Sequence, residues 1–195
     1  MPRIANKNPR FRTKVELCRD IAFVLNSPVK YGTKYAVLVD ATWTWTEFEG
    51  KYVGCEHWSE AAWKIQGQQN LLVHEHVMPK SLVIQRLLDL SPNATEDSVN
   101  QLLTAYCKGA VITREEDARL NGHGLRAKMP HDWDEKDVWA RYKFAGIVLR
   151  IVDSAEASIA RGEGRVITEQ SMIELADEVK QRGRARFAAD PASRL

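Results

Sequence analysis

Asn70-Leu-Leu-Val-His-Glu-His-Val77, followed by Met78-Pro79-Lys80, and the later run Ala110-Val-Ile-Thr-Arg-Glu-Glu-Asp117-Ala-Arg-Leu120 are the stretches on which the fold of this chain turns. The first is short, rich in leucine and β-branched residues, and closed by a proline, the pattern of a strand. Alternate side chains of a strand point to opposite faces, so His74 and His76 share one face and Glu75 points to the other. A His-x-His chelate and a Glu-plus-His pair are therefore geometrically different propositions. The second stretch opens with a short strand candidate over 110–112. Thr113-Arg-Glu-Glu116 then has the T-x-x-E form of a capping box, in which the Thr and Glu side chains satisfy each other's backbone donors. The helix it opens is expected to end at about Leu120 or Asn121, with Gly122 as a left-handed cap.

Working outward, the chain reads as mostly helical. Residues 14–26 space Val15, Cys18, Ala22 and Leu25 for one apolar face, and Ser27-Pro28 stops the helix because proline disfavours helical geometry in the residue before it. Residues 34–49 fit two patterns, an alternating strand or a buried helix, and the length of the run favours helix. Ser59 is placed to cap a short helix reaching Ile65. Residues 80–90 form a further helix, and another begins at Asp97 or Ser98 and ends at Tyr106 or Cys107. After a polar loop over 122–131, Asp134 is expected to open a long helix with Val138, Tyr142, Ala145, Leu149 and Val152 on one face. Residues 161–165 form a hinge, and a last helix from Thr168 buries Met172, Leu175, Ala176 and Val179.

The expected class is α+β, mainly α-helical with a small ββα module in the centre. One domain spans 1–195: a basic arm over 1–14, a ββα-like core with a helical insertion over 70–121, helices over 134–182, and a basic tail over 183–195.

Of 195 residues, 44% are hydrophobic and 28% charged, which excludes global disorder. The net charge of +2 conceals an uneven distribution. Residues 1–14 and 180–195 together carry +9, whereas residues 15–179 carry −7. An acidic-to-neutral body with two basic ends is incompatible with a uniformly cationic coat and compatible with local arms for a polyanion. Neither a membrane-spanning apolar run nor a secretory h-region is present. Three widely spaced cysteines, Cys18, Cys55 and Cys107, argue against a disulfide framework and a CxxC knuckle. A reducing, cytoplasmic setting is the simplest expectation.

Glu75-His76-Val77-Met78-Pro79-Lys80-Ser81 resembles the first half of an HNH (ββα-metal) endonuclease motif, and the strand, cap and helix over 110–120 resemble its second half. The resemblance covers residues 74–121. It departs from the family pattern in having Glu75 where Asp is commoner, Asp117 where His or Asn is usual, and no residue at the central Asn position. It implies a ββα-metal fold and hydrolysis of DNA phosphodiester bonds, with His76 as general base and Glu75 and Asp117 as ligands of a divalent ion, Mg²⁺ or Mn²⁺. His74 and His123 are possible additional site residues. Arg114, Arg119, Arg126 and Lys128 would face the phosphates, and the host would be bacterial or phage. DNA is the expected partner class.

The same residues also have structural readings. His74 and His76 can terminate a core strand with Glu75 paired to a basic residue, and Asp117 in a first helical turn is favoured by the helix dipole alone. A nucleic-acid-binding protein without catalysis, and a helical module for a protein partner, therefore stand beside the nuclease.

Overall fold

The computed structural model describes residues 13–52 and 55–152. Helix α1 (Lys14–Asn26) opens on a capping box in which Thr13 Oγ1 accepts from the Glu16 N–H and Glu16 returns the bond to the Thr13 N–H. Its buried stripe is Leu17, Cys18, Ile21, Ala22 and Leu25. Val15, expected on that stripe, is exposed because the stripe is centred on Leu17 and Ile21. Residues 34–49 resolve as helix: α2 spans Tyr31–Thr46, and Thr42 and Thr46 turn their hydroxyls back onto the carbonyls of Leu38 and Thr42. That back-bonding satisfies polar groups in a helix whose buried face would otherwise strand them.

α4 (Lys80–Leu88) and α5 (Glu96–Tyr106) complete a helical layer with α1 and α2. Its apolar interior includes Leu17, Ile21, Leu38, Ile84, Leu87 and Leu103. Beside it lies a four-stranded sheet in the order β2-β3-β1-β4, formed by β1 (His57–Ser59), β2 (Leu72–His76), β3 (Gly109–Thr113) and β4 (Leu149–Ile151). β2 pairs antiparallel with β3, with Glu75 opposite Ala110 and His76 opposite Gly109. α4 and α5 therefore fill the connection between β2, at one edge of the sheet, and β3 beside it. β3 runs directly into α6 (Arg114–Gly122), through the capping box expected at Thr113 and Glu116.

β1 lies parallel to β3 and runs into a short helix of its own, α3 (Glu60–Lys64). The two strand-to-helix junctions are tied together. Ser59 Oγ accepts from the Ala62 N–H at the start of α3 and donates to Glu116 Oε2 at 2.5 Å. Glu116 Oε2 also accepts from the Thr113 N–H at 2.9 Å, so one buried carboxyl closes one helix start and holds the hydroxyl that caps the other.

Two expected helix ends are corrected. α6 continues through Gly122, and the left-handed residue is Gly124 at φ 70°, where the Leu125 N–H returns to the Leu120 carbonyl. The long helix expected from Asp134 is only α7 (Ala140–Phe144) followed by strand β4. Asp134 Oδ1 accepts from the N–H groups of Lys136 and Asp137, which makes a turn instead of a helix start. Gly146 at φ 63° then ends α7, with the Ile147 N–H returning to Tyr142 O and the Gly146 N–H to Lys143 O, a left-handed glycine cap. Leu149 thus belongs to an edge strand. Residues 1–12 of the basic arm over 1–14, the hinge at 161–165, the helix from Thr168 and the tail over 183–195 lie outside the described residues.

Removing the shared carboxyl leaves two buried donors unmet. Glu116→Ala is expected to cost about 1–3 kcal/mol in urea unfolding, and Glu115→Ala, an exposed neighbour, less than about 0.5 kcal/mol. Equal effects of the two would refute the junction's role.

Candidate active site

The alternation of β2 divides its three titratable residues between two environments. Glu75 faces α6 and α7. His74 and His76 face α2, where the Trp43 ring lies 5.6 Å from the His74 ring and 4.2 Å from that of His76. The strand geometry expected from the sequence is realised, and it separates the general base assigned by resemblance from its proposed metal ligand. His76 is 4% exposed, and its Nε2 lies 3.3 Å from the Thr42 carbonyl oxygen. Burial, with a smaller contribution from the neighbouring His74, pushes its pKa down to about 3. His76 is thus a neutral imidazole closed into the helical layer and does not meet Glu75 and Asp117 at a common site.

His74 Nδ1 lies 2.9 Å from Glu47 Oε1, and this hydrogen bond holds Glu47 below the usual carboxylate range. On the other side, His74 Nε2 packs against the Cα of Gly109 so closely that a Cβ there would lie 2.5 Å from it. Gly109 is therefore required by the approach of His74 to the next strand.

On the opposite face, Glu75 Oε1 accepts from Arg141 Nη2 at 2.6 Å. Arg141 is fully buried, and each of its five N–H groups has an acceptor. Nε donates to Val77 O at 2.9 Å, Nη1 to Leu125 O at 2.6 Å and Arg126 O at 3.2 Å, and Nη2 to Glu75 and to His76 O at 2.5 Å. The basic partner for Glu75 contemplated from the sequence is this residue. Burial raises the Glu75 pKa, Arg141 opposes that rise, and the charge of Asp117 adds to it. Val73, two residues before Glu75 and on the same face of β2, packs in one cluster with Leu120 of α6, so Glu75 is on the face of the sheet that α6 covers. Tyr142, which follows Arg141, is buried with no partner for its hydroxyl among the described residues, and its pKa is raised by burial and by Glu75.

The remaining expected site residues lie around α6. Asp117 stands in its first turn, half-buried, and accepts from Asn121 Nδ2 at 3.3 Å. Arg114 Nε donates to Asn70 O at 2.6 Å, and Arg119 Nη1 to Ala145 O at 3.2 Å. Both have exposed side chains, as have Arg126 and Lys128 in the loop beyond the helix. His123 follows α6 and stacks edge-on against Phe144, with ring centroids 5.4 Å apart, so it is turned toward α7.

Carboxylate oxygens are the donors a hard divalent cation takes, and of the two acids Glu75 is already engaged by the Arg141 guanidinium. No group of three or more His, Cys, Asp or Glu side chains placed for one metal ion occurs among the described residues. Sequence reasoning missed Arg141, Glu47 and His57. Arg141 lies within Trp139-Ala-Arg-Tyr142, and an arginine flanked by buried-type residues is the available signal. His57 shares a row of the sheet with Glu75, since Glu75 pairs with Ala110 and Ala110 with His57. The three cysteines are free and buried, and burial lifts the Cys107 thiol to about 12, consistent with packing roles. No helix among the described residues is long and apolar enough to cross a membrane. No family model, curated protein or solved structure matches the chain.

Two measurements check this geometry. Arg141→Met leaves Glu75 unpaired in a buried setting and strips four carbonyls of their donors, and is expected to cost about 3–5 kcal/mol in chemical denaturation. Glu75→Gln is expected to cost clearly less, because four of the five bonds of Arg141 go to the backbone; a larger loss in Glu75→Gln would contradict the assignment. For His76, the folded pKa lies below the unfolded value of about 6.5, so unfolding takes up a proton in acid. Its contribution is complete above about pH 6.5 and is lost progressively toward pH 3, by up to about 1.4 kcal/mol per pH unit. His76→Leu should flatten the acid limb of stability against pH by one proton, and an unchanged limb would show that His76 is accessible and charged in the folded protein.

Proposed function

We propose that the chain is a metal-dependent endonuclease of the ββα type acting on DNA, with Glu75 and Asp117 as its acidic centre. One observation carries this reading: an antiparallel strand pair runs directly into a capped helix that bears Asp117 and packs on the face of the sheet carrying Glu75. Arg141 fixes the Glu75 carboxylate from behind, so its orientation costs little conformational entropy when an ion or phosphate approaches. Arg114, Arg119, Arg126 and Lys128 supply positive charge around the same helix, where a phosphodiester backbone needs neutralising. A divalent ion, when bound, polarises the phosphate and stabilises charge on the leaving oxygen. His76 is not assigned the base in this reading, because it is buried on the opposite face.

A second reading, DNA binding without cleavage, is favoured by the same ion pair. The Arg141 guanidinium already neutralises Glu75, as a cation would in a catalytic centre. Supercoiled plasmid incubated with Mg²⁺ or Mn²⁺ separates the two. Nicking that falls at least about 100-fold in Glu75→Gln or Asp117→Asn supports the acidic centre. DNA binding with intact plasmid under both ions supports the second reading, and cleavage unaffected by either substitution overturns the assignment of the acids.

A further inference from the structure

A second place on the surface collects groups suited to a phosphate, away from α6. A polar cleft of about 320 Å³ opens at the end of the sheet, where β1 and β3 begin. Lys14, Glu56, His57, Asn100, Thr104 and Lys108 contribute to its lining. Two lysines come from distant parts of the chain. The Lys14 ammonium rests over the Trp45 ring, 4.6 Å from its centroid, and that ring also lines the cleft. Lys108 Nζ donates to Thr104 O at 3.0 Å. Neither contact is to a carboxylate: one is to a ring face and the other to a backbone carbonyl. The Asn100 amide and the Thr104 hydroxyl add neutral donors on an exposed turn of α5. Glu56 is the one carboxylate in the lining, against two lysines.

The cleft opens on the other face of the sheet from Glu75, at the end where the basic N-terminal stretch joins the fold. Gly109 belongs to its wall and is the neighbour of Ala110, the residue paired with Glu75. Gly109 turns its Cα toward His74 and Thr46, so the cleft wall lies on the helical-layer face of the sheet, opposite to the face that carries Glu75. Lys14 is also the last cation of the basic stretch over 1–14, so the cleft lies where that stretch joins the described fold.

We infer that this cleft is a phosphate-binding subsite for the nucleic-acid backbone, with Lys14 and Lys108 as its cations and Asn100 and Thr104 as neutral donors. The inference rests on the DNA-binding reading, catalytic or not, and adds to it a contact face distinct from the loop carrying Arg126 and Lys128. Phosphate contacts of this kind position a duplex without reading its sequence and weaken steeply with salt.

The test is fluorescence anisotropy of a labelled 20-base-pair duplex with the full chain, in chelator, between 50 and 200 mM salt. Lys14→Gln/Lys108→Gln is expected to weaken binding about tenfold or more near 0.1 M salt and to lower the slope of log affinity against log salt by about 2. The charge-matched control Lys30→Gln/Lys136→Gln, at two exposed lysines outside the cleft, should change affinity less than about twofold. Lys108→Gln alone, with an expected slope change of about 1, serves if Lys14→Gln alters thermal melting. Equal losses in the cleft and control variants overturn the subsite while leaving DNA binding standing. An absence of salt-sensitive binding in the unsubstituted protein removes the DNA reading itself, and the subsite with it.

Discussion

Five N–H groups of one buried arginine hold the centre of this fold together. Arg141 reaches from α7 to the end of β2 and to the turn after α6, and every donor finds an oxygen. A guanidinium taken out of water without that full set would be heavily destabilising, so its burial and the position of its acceptors are mutually dependent. Because four acceptors are backbone carbonyls, the arginine specifies the course of the chain at 76–77 and 125–126, not only the orientation of Glu75. α6 is consequently held at both ends, by the Ser59–Glu116 bridge at its start and by Arg141 just beyond its finish.

The same constraint shapes what the candidate site can do. Glu75 keeps a side chain that is 23% exposed, with a fixed cation behind it. His76, one residue on, is closed in by Trp43 and the Thr42 carbonyl. β2 thus presents an acidic face and a histidine face that do not converge. His74 Nε2, buried against Gly109, has no hydrogen-bond partner among the described residues.

Much of the local structure was legible from residue types. Thr113 and Glu116 form the expected capping box, Ser59 caps α3, and the strand at 72–76 presents its side chains in the expected alternation. Residues 34–49 were ambiguous because alternating apolar residues, several of them β-branched or aromatic, suit a strand and a fully buried helix equally. The threonine back-bonds that make the helix tolerable are visible only once it has formed. The long helix expected from Asp134 failed for a different reason. Its apolar spacing was real at Val138, Tyr142 and Ala145, but Gly146 reverses the chain and Leu149 follows the edge of the sheet.

The sequence by itself determined those features whose physics acts over three or four residues: helix starts, the strand, and the opposition of Glu75 to its two histidine neighbours. Backbone geometry and caps are local interactions, and the residue order contains all their participants. Only the tertiary structure decided what each side chain meets. The Thr42 carbonyl that engages His76 lies 34 residues from it, and the Arg141 that holds Glu75 lies 66 away. No local periodicity encodes such pairings, because they arise from how the two layers pack and from the requirement that a buried charge find its acceptors.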